Sequence, residues 1–140
     1  MSSRHKAREY ALKALFTLDF HKKLVQLDTI EFFPTLDEQE LSELNDESSI
    51  YVRYLVSGTT ENIERIDKLI VKYSTKRAIQ KIDRVDRCIL RLSLFMMIFQ
   101  KNLSPNVIID EAVKLSQEYS NDINYKFING LLDSIRKKEL

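Results

Sequence analysis

Residues 85–99 read VDRCILRLSLFMMIF. Val85, Cys88, Ile89, Leu92, Met96 and Phe99 recur at the three-and-four spacing that places side chains on one face of a helix. From Leu94 to Phe99 the stretch is apolar nearly all round. A helix without a polar face packs on several sides, so this one belongs at the centre of a bundle. Its apolar run is far shorter than the roughly 20 residues that cross a bilayer. At its start, Asp83 and Asp86 alternate with Arg84 and Arg87, which predicts a salt-bridged helix surface.

The pattern continues on both sides of this centre. Asn102 to Pro105 interrupts it, and VIIDEAVKLSQEY, residues 107–119, then puts Ile109, Ala112, Val113 and Ser116 on one face. After the polar SNDIN, a last helix from about Asn124 to Lys138 turns Phe127, Ile128, Leu131, Leu132 and Ile135 inward. Asn129–Gly130 is ordinarily a turn signal, but the apolar spacing runs through it without a phase change. Upstream, residues 45–73 hold Tyr51, Leu55, Ile63, Ile66, Leu69, Ile70 and Tyr73 in helical period, with Asp46 or Ser48 as cap. Gly58 weakens that helix by about 1 kcal/mol relative to alanine, so close packing or a break belongs there. Thr75 caps a brief turn through Lys81. Thr35 and Glu38 form a capping box that starts a short helix to about Leu44, preceded by an irregular stretch ending at Pro34. The first helix spans about Ser3 to Phe20, with Ala7, Ala11, Ala14, Leu15 and Leu18 as its stripe.

About seven helical pieces with short connections predict an all-α domain over residues 1–140, in two small three-helix bundles divided near residue 80. Only 2 Gly and 2 Pro in 140 residues leave little material for hairpins, and 44% hydrophobic content supports a sizeable core. The single cysteine, Cys88, cannot pair internally and sits on the apolar face as an inert core residue. Met96 and Met97 read as packing. Without an apolar leader or a membrane span, a cytoplasmic protein is expected.

Net charge is only +1, but its distribution is uneven. No basic residue lies between Lys23 and Arg53, while Arg4, Lys6 and Arg8 crowd one end of the chain and Arg136, Lys137 and Lys138 the other. A helix start disfavours cations by a few tenths of a kcal/mol to about 1 each. Arg4, His5, Lys6 and Arg8 at the first helix therefore mark either a solvated terminus or a site for an anion. Arg4 and Arg8 fall on one side at i,i+4, and arginine suits phosphate through its two-pronged donor fork. INYKFING, residues 123–130, groups Tyr125, Lys126, Phe127 and Asn129, of which aromatics stack on unpaired bases and Asn reads base edges. Should the two ends of the chain pack side by side, they make one basic, aromatic surface. Catalysis finds no support: there is no glycine-rich phosphate loop, no Cys/His cluster and no nucleophile motif, and no metal or cofactor is expected. His5 and His21 read as surface histidines. Asp110 and Glu111 are adjacent carboxylates without a catalytic context.

Four blocks in order give the chain a recognisable likeness. RHKAREYALKALF, VDRCILRL, PNVIIDEAVKL and KFINGLLDSI resemble the blocks of the bacterial transcription antitermination factor family NusB. The resemblance covers nearly the whole chain. It implies an all-helical fold of two three-helix bundles and no catalysis. It implies binding of the boxA element in nascent ribosomal RNA leaders together with NusE, a ribosomal protein that doubles as a transcription factor, and through them a link to RNA polymerase and other Nus factors. By motif, Arg4, His5, Lys6 and Arg8 match the family's RNA-contacting run. Tyr125, Lys126, Phe127 and Asn129 match the segment that completes that surface, and Asp86 matches an acidic position facing NusE. The chain departs from the family pattern at His5, where arginine is favoured, at Met96, where glutamate is usual, and at Asp110, where asparagine is usual. Monomers and homodimers both occur in the family. Two other readings remain: a purely protein-binding helical scaffold, and a NusB-like accessory domain of an RNA-modifying enzyme.

Overall fold

The computed structural model describes residues 3–20, 46–121 and 123–140. Among them are six α-helices, α1 (Ser3–Phe20), α2 (Asp46–Glu61), α3 (Ile63–Tyr73), α4 (Arg84–Phe99), α5 (Pro105–Tyr119) and α6 (Asn124–Glu139). A 3-10 turn, Ile79–Lys81, falls within the brief turn expected between Thr75 and Lys81. The described residues contain no strand, in keeping with the all-α class. The short helix expected over residues 35–44 lies outside the described residues.

Helix α4 is the axis of the molecule. Every residue from Cys88 to Ile98 is buried, and α4 packs on all five other helices. Its missing polar face is therefore a consequence of being surrounded. α1 lies along α2 and α4, α5 along α4 and α6, and α3 against α2, α4 and α6. Leu55, Ile66, Ile89, Leu92, Ile108, Ile128 and Leu132 are among the fully buried side chains of one continuous core. Each contributes roughly 1.5–3 kcal/mol by leaving water. Phe99, expected on the core face, is 42% exposed at the last residue of α4.

The helix expected through residues 45–73 is two helices, and the break falls at Asn62. The side chains of Thr59 and Thr60 bond back to the carbonyls of Leu55 and Ser57, and Asn62 Nδ2 donates to the Gly58 carbonyl at 2.8 Å. Side chains that compete for backbone acceptors loosen the last turn and end it. Gly58 stays inside α2 for a different reason. A Cβ there would lie 2.2 Å from Phe95 Cζ and 2.3 Å from Cε1. Gly130 in α6 has nothing within 4 Å of the corresponding position.

These two glycines should respond oppositely to the same change. Gly130→Ala is expected to stabilise the protein by about 0.5–1 kcal/mol through helix propensity. Gly58→Ala gains the same term but must displace the buried Phe95 ring, for a net loss of about 1–3 kcal/mol. Urea unfolding of both variants checks this; a Gly58→Ala protein as stable as Gly130→Ala would show that the ring yields freely.

Candidate nucleic-acid interface

The alanine stripe of α1 fixes where its cations point. Ala7, Ala11 and Ala14 are buried, so α1 sits close on its neighbours. Arg4 and Lys6 are then exposed, His5 is half-buried and Arg8 is buried. The Arg4 guanidinium lies 4.1 Å from the centre of the Tyr51 ring and 3.9 Å from Glu47. Lys6 Nζ stands 6.0 Å from the Tyr10 ring centre. His5 is held between carboxylates, with Nε2 3.1 Å from Glu9 and Nδ1 3.1 Å from Glu111. Arg8 donates through Nη1 to the other oxygen of Glu111.

This arrangement sends Arg4 and Arg8, expected together on one side of α1, to different neighbours. Arg8 turns inward and is neutralised by Glu111 of α5, while Arg4 turns to α2. Their i,i+4 spacing puts them on one side of the helix, but what abuts that side decides their use. It also explains cations at a helix start. α1 runs antiparallel to α4: Asp19 meets Arg84, Arg87 and Arg91 at one end, and Arg8 lies by Ser93 and Met96 at the other. The basic run therefore neighbours the C-terminal end of α4, whose dipole favours positive charge. Tyr51, under Arg4, donates its hydroxyl to Gln100 just past that end, at 3.1 Å.

At α6, Lys126 and Asn129 are exposed, and Tyr125 and Phe127 are half-buried. The Arg77 guanidinium lies 4.4 Å over the Phe127 ring. Tyr73, Thr75, Lys76, Lys126 and Phe127 border a groove of about 380 Å³. The single surface expected from adjoining chain ends is not seen in the principal helix contacts, where α1 lies on α2 and α4 and α6 lies on α5. Two cationic, aromatic patches stand instead, one at the start of α1 and one between α6 and the segment after α3. Sequence spacing does not single out Lys76 and Arg77, whose one signal is two adjacent cations in a short connection.

Asp86 is fully buried, which corrects its reading as part of a salt-bridged helix surface. Its carboxyl accepts from Ser116 Oγ at 3.0 Å, Ser120 Oγ at 2.9 Å and Asn124 Nδ2 at 2.6 Å. Asp83 accepts from the same Asn124 amide at 2.6 Å. The start of α4 thus ties together the end of α5 and the start of α6.

The arginines of the same segment pair elsewhere. Asp19 of α1 receives Arg87 at 2.8 Å and Arg91 at 3.1 Å, with Arg84 at 3.2 Å. Arg91 also forms a two-pronged bond to Asp67 of α3, both arms at 2.9 Å. Burial acts to raise the Asp19 carboxyl, but hydrogen bonds and charge from Arg87 and Arg91 more than offset it and hold it below its ordinary 3.8. Burial, aided by the Asp19 charge, pushes the Cys88 thiol up to about 12, so it stays protonated and unreactive. Among the described residues, His5, Glu9 and Glu118 bring one donor atom each within 4.8 Å of one another. Both nitrogens of that imidazole already face carboxylates.

Residues 5–137 match the NusB family. The transcription antitermination protein NusB of Treponema denticola is 36% identical over 135 residues, covering 96% of each chain. Among solved structures, NusB of T. maritima superposes with a TM-score of 0.80 at 31% identity, over 96% of this chain and 91% of that one. A NusB chain in a crystal structure of antitermination factors NusB and NusE with double-stranded RNA superposes with a TM-score of 0.79 at 28% identity, over 98% of both chains.

Proposed function

The chain belongs to the NusB family, and from that premise we propose that it is a non-enzymatic RNA-binding adaptor of transcription antitermination. It binds the boxA element of nascent ribosomal RNA leaders together with NusE, and acts in the cytoplasm where that RNA is made. The observation that carries this reading is the likeness, over 98% of both chains, to a NusB solved with NusE and RNA.

The geometry supports a division of labour. Exposed Arg4 and Lys6 take phosphates. His5 and Arg8, engaged with Glu9 and Glu111, hold the start of α1 on α5 and so position those two. Tyr125, Lys126, Phe127 and Asn129 offer rings, a cation and an amide to bases. Single-stranded RNA suits such a surface because only unpaired bases present their faces and edges. Asp86 serves NusE indirectly, by fixing the α4–α5–α6 junction through Ser116, Ser120 and Asn124.

Titration of boxA-like RNA against the protein, with and without NusE, tests the reading. Arg4→Ala with Lys6→Ala should lower the slope of log affinity against log salt by about 1.4, two contacts at roughly 0.7 each for a single strand. An unchanged slope would remove the phosphate role from these residues. Failure of the wild-type complex to bind RNA, with NusE still bound, would leave a protein-binding scaffold.

A further inference from the structure

Four rings form a connected strip across α2 and the end of α4. Tyr51 and Tyr54 stack with centres 6.3 Å apart, Tyr54 meets Phe95 edge-on at 5.3 Å, and Phe95 lies 5.1 Å from Phe99. Phe95 is buried, but Tyr54 and Phe99 on either side of it are 43% and 42% exposed. Guanidinium groups bracket the strip: Arg4 over Tyr51 at 4.1 Å and Arg65 over Phe99 at 5.6 Å. Two exposed rings supported by a third, between two arginines, are costly to leave in water and fit a ligand with flat apolar faces and regularly spaced negative charge.

Building on the RNA-binding reading, we propose that Tyr54 and Phe99 form a stacking platform that continues the path of single-stranded RNA from the start of α1. Arg4 belongs to both places, since it heads the basic run and caps the strip, so the path is continuous. One phosphate near Arg4 and another near Arg65 flank bases laid on Tyr54 and Phe99. Aromatic stacking is tolerant of sequence because every base has a π-face, so this platform adds affinity and leaves sequence choice to the rest of the surface.

The experiment compares a core boxA-like RNA with the same RNA lengthened by three nucleotides at its 5′ end, or at its 3′ end, by fluorescence anisotropy with NusE present. One lengthened RNA should bind wild-type protein about tenfold or more tighter than the core, from stacking of one or two bases. Tyr54→Ala with Phe99→Ala should abolish that gain and leave core affinity unchanged, and Tyr54→Phe with Phe99→Tyr should restore it. Equal affinity of wild-type protein for all three RNAs, or a gain that survives the alanine pair, overturns the platform while the RNA-binding reading stands. Light scattering separates the other occupant: a wild-type dimer that the alanine pair converts to monomer, with RNA affinity unchanged, assigns the strip to a second copy of this chain and overturns the platform. If wild-type protein binds no RNA, the functional reading falls and the platform falls with it.

Discussion

Asp19→Ala is expected to cost about 2–4 kcal/mol of stability, somewhat less than removing one partner from a fully buried ion pair, because Asp19 and Arg87 are part-buried. Its carboxylate is the meeting point of Arg84, Arg87 and Arg91. Arg87 and Arg91 keep only 14% and 10% of their side-chain surface exposed, so neither can turn to solvent when the carboxylate is lost. Arg91 retains Asp67, but Arg87 is left with two backbone carbonyls, Ile79 at 3.3 Å and Ile82 at 3.4 Å. The loss falls on the α1–α4 contact at the opposite end of α1 from the basic run. Urea unfolding measures it, and a change below about 1 kcal/mol would show that water compensates the arginines.

The same cluster sets a pH dependence. The folded Asp19 carboxyl titrates below its ordinary 3.8, so its contribution is complete above that value. It is lost as pH falls through 3.8 toward the folded value, because the unfolded chain takes up the proton first. Wild-type stability should fall below about pH 4 more steeply than that of Asp19→Asn, and the gap between them should narrow with acidification. Parallel curves for the two proteins from pH 6 to 2 would contradict a depressed Asp19.

The second large effect is expected at Asp86, where alanine should cost about 2–4 kcal/mol. Removing the carboxyl strands the Ser116 hydroxyl in a fully buried site and unties Ser120 and Asn124. A buried donor left without an acceptor costs about 1–3 kcal/mol, and the half-buried pair regains part of its loss from water. Ser116→Ala removes one of these donors and should cost about 1 kcal/mol. Because Asp86 reaches no surface, its variant should weaken NusE binding only as far as the α5–α6 junction loosens. Binding lost by Asp86→Ala in a protein of wild-type stability would place its carboxyl on the partner instead.

The two parts of the candidate site were legible to different degrees. The basic run and the KFING segment stand out as residue types, and the four-block likeness gave them a ligand class. Which members of the run reach solvent did not show. Arg8 is separated from Glu111 by 103 residues, and no spacing rule links the two. Arg77 and Phe127 likewise meet only because the segment after α3 passes along α6.

Local periodicity carried the helix positions, because the face a side chain takes within one helix depends only on the 3.6-residue turn. It located α1, α4, α5 and α6 and identified α4 as the surrounded axis, since a helix with no polar face has nowhere else to go. It missed the break at Asn62, where side-chain hydrogen bonds to backbone carbonyls outweigh apolar spacing. The partners of charged groups were beyond it altogether. Asp86 with Arg84 and Arg87 looks like a surface network along the chain. In the fold, the acid faces α5 and α6 while the arginines face α1, where Arg87 meets Asp19 from 68 residues away. A helix's own sequence says which groups share a side, and only the packing of helix on helix decides what meets that side; electrostatic pairing falls off over a few ångströms and follows the packing.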